Sequence, residues 1–328
     1  MLKILSGGAE TTVQDLGRFG YYHIGICPSG AQDAFSFRIG NLLVGNEENA
    51  AGLEITIMGP KIQVLRDSVV AFTGAEIPAR INGKEAEMWT SVLVKEGDII
   101  SYGPIKSGAR GYLCIAGGID VPLKYGSRST GVINKIGGYN GRKLKEGDEL
   151  KRGTPAKPIA KLVGRRLNSK YLPKFSKNTI LRIVMGLFGY RLTKESYQTF
   201  LDSDWKVCPN SNKVGYYYEG PHLKFKERNQ PFGAGSDPSN VVDAPYPVGS
   251  VQVPGGLNAV LLLNDAVTGG GYATIGTVIK ADLDIVAQSK PGDVTRFKEI
   301  SIQEAIEIRK GREANIKAIK DELEKINL

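Results

Sequence analysis

The chain is poor in the residues on which most redox and metal chemistry depends. Its 328 residues include three cysteines, two histidines, two tryptophans and four methionines. Cys27, Cys114 and Cys208 lie far apart and form no CxxC pair, which excludes a disulfide framework and a zinc ribbon. Small-residue packing is their expected role. His23 and His222 are too few for an HExxH site or a histidine cage, so no metal site is expected, and any metal dependence would rest on oxygen ligands. No apolar run approaches the ~20 residues of a membrane span, and the opening "MLKILSGGAE" lacks the apolar core of a signal peptide. A cytoplasmic protein without a membrane partner is expected. There is no GxxxxGKS/T phosphate loop, so any ATP chemistry needs an unconventional site or another subunit.

What the chain has in quantity is glycine (41 residues) and proline (16), which mark tight turns between short strands. The hydrophobic fraction of 41% is that of a folded globular chain. The length exceeds the ~100–200 residues that one core organises, so two domains are expected. The formal charge of +9 is unevenly placed: Lys151 to Lys177 carries nine Lys/Arg residues and no Asp or Glu. With three prolines and no sustained period, that tract predicts an interdomain connection lying on the surface. The expected division is a β domain over residues 1–155, a basic linker over 156–178 and a second β domain with a terminal helix over 179–328. Nucleic acid is not the expected partner, because the aromatic side chains that stack bases are sparse in the tract. A basic connection can also attract an acidic protein.

Strand candidates are "KIQVL", "SVVAFTG", "PARING", "DIISYG" and "GYLCIAGG" before the tract, then "ILRIVMG", "NAVLLLND" and "DIVAQ" after it. Ala34, Phe37, Arg38 and Asn41 are spaced for a helix over residues 33–43, with Gly45 as its stop. Ser301 and Glu304 form an S-x-x-E capping box, and Ile316, Ile319, Leu323 and Ile326 make a helical stripe that predicts docking on a sheet; a partner-binding helix is the alternative. A Lys-x-Gly-Asp turn occurs three times, in "VKEGDIISYG", "LKEGDELKRG" and "SKPGDVTRF", which favours two related β-barrels over one long sandwich.

The stretch "TTVQDLGRFGYYHIGICPSGAQD" is too polar for a buried strand. Gln14, Asp15, Arg18, Ser29 and Asp33 lie among Gly17, Gly20, Gly25 and Gly30. Such a loop can aim N–H groups at an anion or carbonyl, the ingredients of an oxyanion or carboxylate site. A purely structural loop in which Arg18 pairs with Asp15 is the other reading.

"TTVQDLGRFGY", "PSGAQD", "NLLVGN", "LEITIMGP" and "FTGAE" resemble the allophanate hydrolase subunit 2 family of biotin-dependent carboxyltransferases. "GYLCIAGGIDVP", "YGSRSTG", "GSVQVPGG", "TGGGYATIGTVIKADLD" and "QSKPGDVTRF" continue the resemblance through nearly the whole chain. It implies a mainly β protein of two cyclophilin-like β-barrels with few helices, working with a subunit 1-type partner. The family includes the carboxyltransferase portion of urea carboxylase, the C subunit of 5-oxoprolinase and an antagonist of a sporulation kinase inhibitor. The implied activity is that of an enzyme subunit acting on a small amide, lactam or urea-like molecule. The alternative is a non-catalytic regulatory protein that captures a kinase-inhibitor-like partner. Whether carboxybiotin on a separate carrier or ATP used through the complex is the cofactor stays open, as does the presence of a biotin carrier or a lactam-utilisation subunit among the partners. The chain has no Ala-Met-Lys-Met-like tetrapeptide, so any biotin would arrive on another protein.

Carboxyl transfer needs donors for developing negative charge and a base for the acceptor nitrogen. The matching motifs supply Gln14, Arg18, Ser29, Ser127, Arg128, Ser129 and Gln252 as donors, with Asp33 or Tyr272 as proton acceptor. Asp33, Arg128 and Tyr272 are thus the expected catalytic residues, and Asp15, Gly30, Thr130, Thr268, Gly270 and Gly271 complete the expected site for substrate or carboxybiotin. Two places depart from the family pattern. In "SNKVGYYYEG", Lys213, after Asn212, stands where an acidic-arginine pair is usual and Tyr217 stands at the arginine of the Met-Gly-Tyr-Arg run that follows it, and Ala266 stands in "NDAVTGGGY" where another arginine is. Lysine cannot reproduce a guanidinium fork, which implies a different acceptor or a structural or regulatory role.

Overall fold

The structure is a computed structural model and describes residues 1–325. The described residues hold four α-helices: α1 (Ala34–Leu43), α2 (Lys194–Asp202), α3 (Leu283–Gln288) and α4 (Ile302–Lys325). The rest of the regular structure is mostly β. Two compact units emerge, each drawn from separate stretches of chain. Met1–Arg18, Ser29–Phe175 and the chain from Glu313 onward form the first, and Phe19–Pro28 with Ser176–Arg312 the second.

In the first unit a seven-stranded and a five-stranded antiparallel sheet share one core cluster. Strands Ser68–Glu76 and Ser107–Ile115 lie side by side in the five-stranded sheet, with Leu113 opposite Phe72. Both read as near-continuous apolar runs because both of their faces are buried. Val70, Phe72, Leu113 and Ile115 join the core between the sheets, while the alternate residues Val69, Ala71, Tyr112 and Cys114 join a second cluster with α1. The helix lies so close at Gly40 that a Cβ there would stand 2.8 Å from Cys114 Sγ. Burial pushes the Cys114 thiol far above its usual range, as suits an inert packing residue.

Ile316, Ile319 and Leu323 of α4 complete that second cluster beside Leu42, Leu43 and the sheet residues Val69 and Ala71. Ile326 of the expected stripe lies outside the described residues. Burying each such side chain is worth about 1.5–3 kcal/mol, which accounts for the grouping of the end of α4 with the first unit. The capping box at its start forms: Ser301 N donates to Glu304 Oε2 at 2.7 Å and Glu304 N to Ser301 Oγ at 3.2 Å. The basic tract is less superficial than its composition implies. Leu162, Arg165 and Leu167 are buried, Ser91 N donates to the Arg165 carbonyl at 2.8 Å, and Arg165 Nη2 donates to the Leu323 carbonyl at 3.3 Å.

The second unit is built on a closed seven-stranded barrel, sealed by the parallel pair Asn178–Met185 and Val294–Glu299. Phe200 stacks on Phe297 inside it with centroids 4.6 Å apart, beside Trp205 and Tyr218. A separate two-stranded ribbon pairs Asn240–Pro245 with Gly269–Tyr272. One expected strand is corrected: "DIVAQ" lies in helix α3. Short apolar runs carry no period that separates strand from helix. Here Asp282, just before the run, accepts Arg182 N at 2.7 Å and Arg182 Nε at 3.0 Å; that pairing holds the chain in a helical turn with Val286 and Ala287 buried.

The three Lys-x-Gly-Asp sequences adopt one turn. Asp98, Asp148 and Asp293 each accept the amide of the lysine three residues earlier, at 2.7, 2.9 and 2.8 Å. Gly97, Gly147 and Gly292 hold φ values of 90°, 85° and 91°, a region that favours glycine. Each turn leads into a strand, two in the first unit and one in the barrel.

Asp148 gives one of these turns a pH dependence. Burial works to raise its pKa, but the Arg142 fork at 2.7 and 2.8 Å and the Lys145 amide outweigh it and hold the carboxyl below its usual range. A depressed folded pKa contributes stability above the unfolded value, near pH 4, that is lost as pH falls through the folded value. Urea midpoints measured between neutral pH and acid are therefore expected to separate wild type from Arg142→Met at neutral pH and to converge in acid. A constant separation would contradict this assignment.

Candidate functional site

The expected residues of the first unit come together in one buried polar network. Strand Glu10–Gln14 ends at Asp15, whose carboxylate accepts four donors. Asp15 Oδ1 takes Gly17 N at 2.8 Å, Ser127 Oγ at 2.7 Å and Ser129 Oγ at 2.5 Å, while Oδ2 takes Arg128 N at 2.5 Å. The chain at 127–130 is thereby fastened to the end of the strand. Arg18 Nη2 donates to the Ser129 carbonyl, and Thr130 Oγ1 donates to the Val13 carbonyl at 2.8 Å. Gln14 Nε2 donates to Thr12 Oγ1 at 2.9 Å and to the Thr130 carbonyl at 3.1 Å.

The segment Ser29 to Asp33 is locked by four acceptors in succession. Gly30 N donates to Gln14 Oε1 at 3.2 Å, Ala31 N to the Asp15 carbonyl at 2.9 Å, Gln32 N to Glu54 Oε2 at 2.7 Å and Asp33 N to Tyr112 Oη at 2.8 Å. The tyrosine hydroxyl in turn donates to Glu54 Oε2 at 2.8 Å. Burial, then the Glu54 and Asp33 charges, pushes the Tyr112 phenol well up, so it stays protonated as a donor. Gly30 has φ 97°, and a Cβ there would stand 2.9 Å from Gly17 N. The expected aiming of loop amides at an anion does not extend to residues 30 to 33. The amides from 30 to 33 face protein acceptors instead, because a buried N–H without a partner is costly.

Asp33 is the N-cap of α1: Oδ1 accepts Ser36 N at 2.8 Å and Oδ2 accepts Ser36 Oγ at 2.6 Å. Gln14, Asp15, Arg18, Ser29, Asp33, Ser127, Ser129 and Thr130 are all at most 2% exposed. Arg128 differs. Its main chain belongs to the network, but its guanidinium is about one-third exposed, donating to the Val121 carbonyl at 2.9 Å and lying 3.4 Å from Asp120.

The second-unit residues gather at the ribbon. Tyr272 is 46% exposed, and its main chain is gripped by Tyr246 Oη, which accepts Tyr272 N at 2.6 Å and donates to Tyr272 O at 3.0 Å. Gly270 lies against the same ring: a Cβ there would stand 3.1 Å from Tyr246 Cε2. Thr268 accepts Tyr246 N through its carbonyl at 2.9 Å, Gly271 is exposed, and Gln252 is buried on strand Ser250–Gln252. Tyr217 and Ala266, two of the three departures, pack in one apolar cluster with Tyr246, Val260 and Leu262. Lys213 is buried, and its carbonyl accepts Asp265 N at 3.0 Å.

Residues 24–299 match the carboxyltransferase domain, subdomain A and B. The chain belongs to this family. It is 37% identical to the urea amidolyase of Lachancea kluyveri over 97% of its own length and 18% of that protein. It is 35% identical to the C subunit of the Escherichia coli 5-oxoprolinase over 95% of its own length and 96% of that one. The crystal structure of the Kluyveromyces lactis urea amidolyase superposes with a TM-score of 0.91 at 35% identity, covering 97% of this chain and 20% of that one. The chain thus spans about a fifth of the amidolyases it matches.

Against this family background, the carboxyltransferase motifs divide by accessibility. Asp15, Asp33, Ser127, Ser129 and Thr130 do not fit direct contact with a biotin ureido group, since their side-chain oxygens are bonded inside the protein. Arg128, Gly271 and Tyr272 carry accessible atoms. Sequence reasoning misses Glu54 and Tyr112; the signal is a carboxylate inside the apolar stretch "LEITIM". Asp15→Ala is expected to cost about 3–5 kcal/mol and Tyr112→Phe about 1–2 kcal/mol in urea unfolding. Losses below about 0.5 kcal/mol for both would contradict a structural network.

Proposed function

We propose that the protein is a subunit of a biotin-dependent carboxyltransferase or 5-oxoprolinase-type complex that acts on a small amide, lactam or urea-like molecule. What carries this reading is the near end-to-end correspondence with the 5-oxoprolinase C subunit, 96% of that protein, at 35% identity. The same reading takes an allophanate hydrolase subunit 1-type protein as partner and a cytoplasmic setting.

In each unit, the proposed division of labour follows exposure. Asp15, Asp33, Ser127, Ser129 and Thr130 position the chain, with Asp33 spent on capping α1. Arg128 supplies positive charge toward a developing oxyanion, and Tyr272 with Thr268, Gly270 and Gly271 meets the substrate at the ribbon. Carboxybiotin would supply the carboxyl group if a carrier delivers it.

The experiment is reconstitution of the purified protein with its subunit 1-type partner, followed by two assays: ATP-dependent cleavage of 5-oxoproline, and transfer of labelled bicarbonate to amides in the presence of a biotin carrier. Activity in either assay is expected to fall roughly 100-fold in Arg128→Ala and at least ~10-fold in Tyr272→Phe, with unchanged thermal midpoints. Full activity in both variants would remove these roles. Inactivity of the reconstituted complex in both assays would remove the reading itself.

A further inference from the structure

A groove of about 680 Å³ lies in the first unit, away from the Asp15 network, between the turn at Met88 and Trp89, the basic tract at 166–172 and the end of α4. Its size is that of small-molecule sites, ~300–1,000 Å³. The floor is apolar: Met88, Leu167, Leu172, Ile319 and Leu323.

Its wall holds a conformational outlier. Trp89 has φ 58°, in the left-handed region that bulky side chains rarely occupy. The surrounding chain enforces it, since Trp89 N donates to the Phe72 carbonyl at 2.8 Å and the Trp89 carbonyl accepts Leu167 N at 3.0 Å. Strain held this way on the wall of a cavity is a reason to look for a ligand. An indole offers a broad π face on which planar rings stack.

The charges at the rim decide the sign of that ligand. Both lining carboxylates are neutralised: Glu87 lies 2.5 Å from Arg166 and Glu322 lies 2.7 Å from Lys170. Lys325 lines the groove with no ion pair among the described residues. Of the cations in the tract, Arg166 lines the groove and Lys170 holds Glu322 at its rim, so that with Lys325 three cations face two carboxylates. We propose that this groove binds a small planar aromatic molecule bearing an anionic group, its ring on Trp89 and its charge toward Lys325. Nothing in this assignment depends on the carboxyltransferase reading.

Both anilinonaphthalene sulfonate and its uncharged relative N-phenylnaphthylamine brighten on leaving water, so their own emission reports binding in every variant. The full chain would be titrated with each while the emission of the probe is followed. Saturable enhancement of the sulfonate is expected, with an affinity at least ~10-fold lower in Trp89→Ala. The sulfonate should also weaken about fivefold in Lys325→Ala, with the neutral compound unaffected. Lys325 is exposed, so that variant tests the assignment even if Trp89→Ala folds poorly. Absence of saturable enhancement, equal sulfonate affinity in a folded Trp89→Ala, or equal sulfonate affinity in Lys325→Ala would each overturn the proposal.

Discussion

A buried carboxylate organises the first unit. Asp15 is 2% exposed and is held by two hydroxyls and two amides, so its charge is solvated by the protein itself. Removing an ion from water costs several kcal/mol, and only a full complement of donors makes that tolerable. The requirement fixes what surrounds it: serines at 127 and 129, and a glycine two residues on at 17. Because one carboxylate binds chain segments more than a hundred residues apart in sequence, the loops that carry the family motifs are set by the same interaction that stabilises the fold.

Glu54 repeats the arrangement on the neighbouring strand. Together with Tyr112 it receives the amides of Gln32 and Asp33, and Asp33 then starts α1. Helix placement, loop placement and motif placement are therefore one hydrogen-bonded system. The consequence is a difference of exposure within motifs that look uniformly polar. Most of their side chains are buried in the support, and a minority, Arg128 and Tyr272 foremost, keep accessible atoms. Rigid support behind a few exposed groups is what electrostatic catalysis needs, since donors that are already oriented cost no reorganisation.

Much of this is legible in the sequence. The capping box at Ser301, the helix after Asp33 and the three Lys-x-Gly-Asp turns form because each rests on local chemistry within a few residues. The family motifs locate the polar network. What stays hidden depends on long-range partners. "DIVAQ" is a helix where Arg182, a hundred residues away, holds Asp282, and the amides of 30 to 33 turn inward toward Glu54 and Tyr112, which no spacing rule connects to them. Charge composition also misleads locally, since a run of nine cations conceals the buried Leu162, Arg165 and Leu167.

The central claim is that the loop from Gly30 to Asp33 belongs to the rigid core of the fold rather than to a mobile binding surface. Native-state hydrogen exchange of these four amides tests it most directly. Exchange only through global unfolding, with the same denaturant dependence as the strand amides of Leu113 and Phe72, is the expected result. Exchange through local opening at free energies well below global unfolding would contradict it.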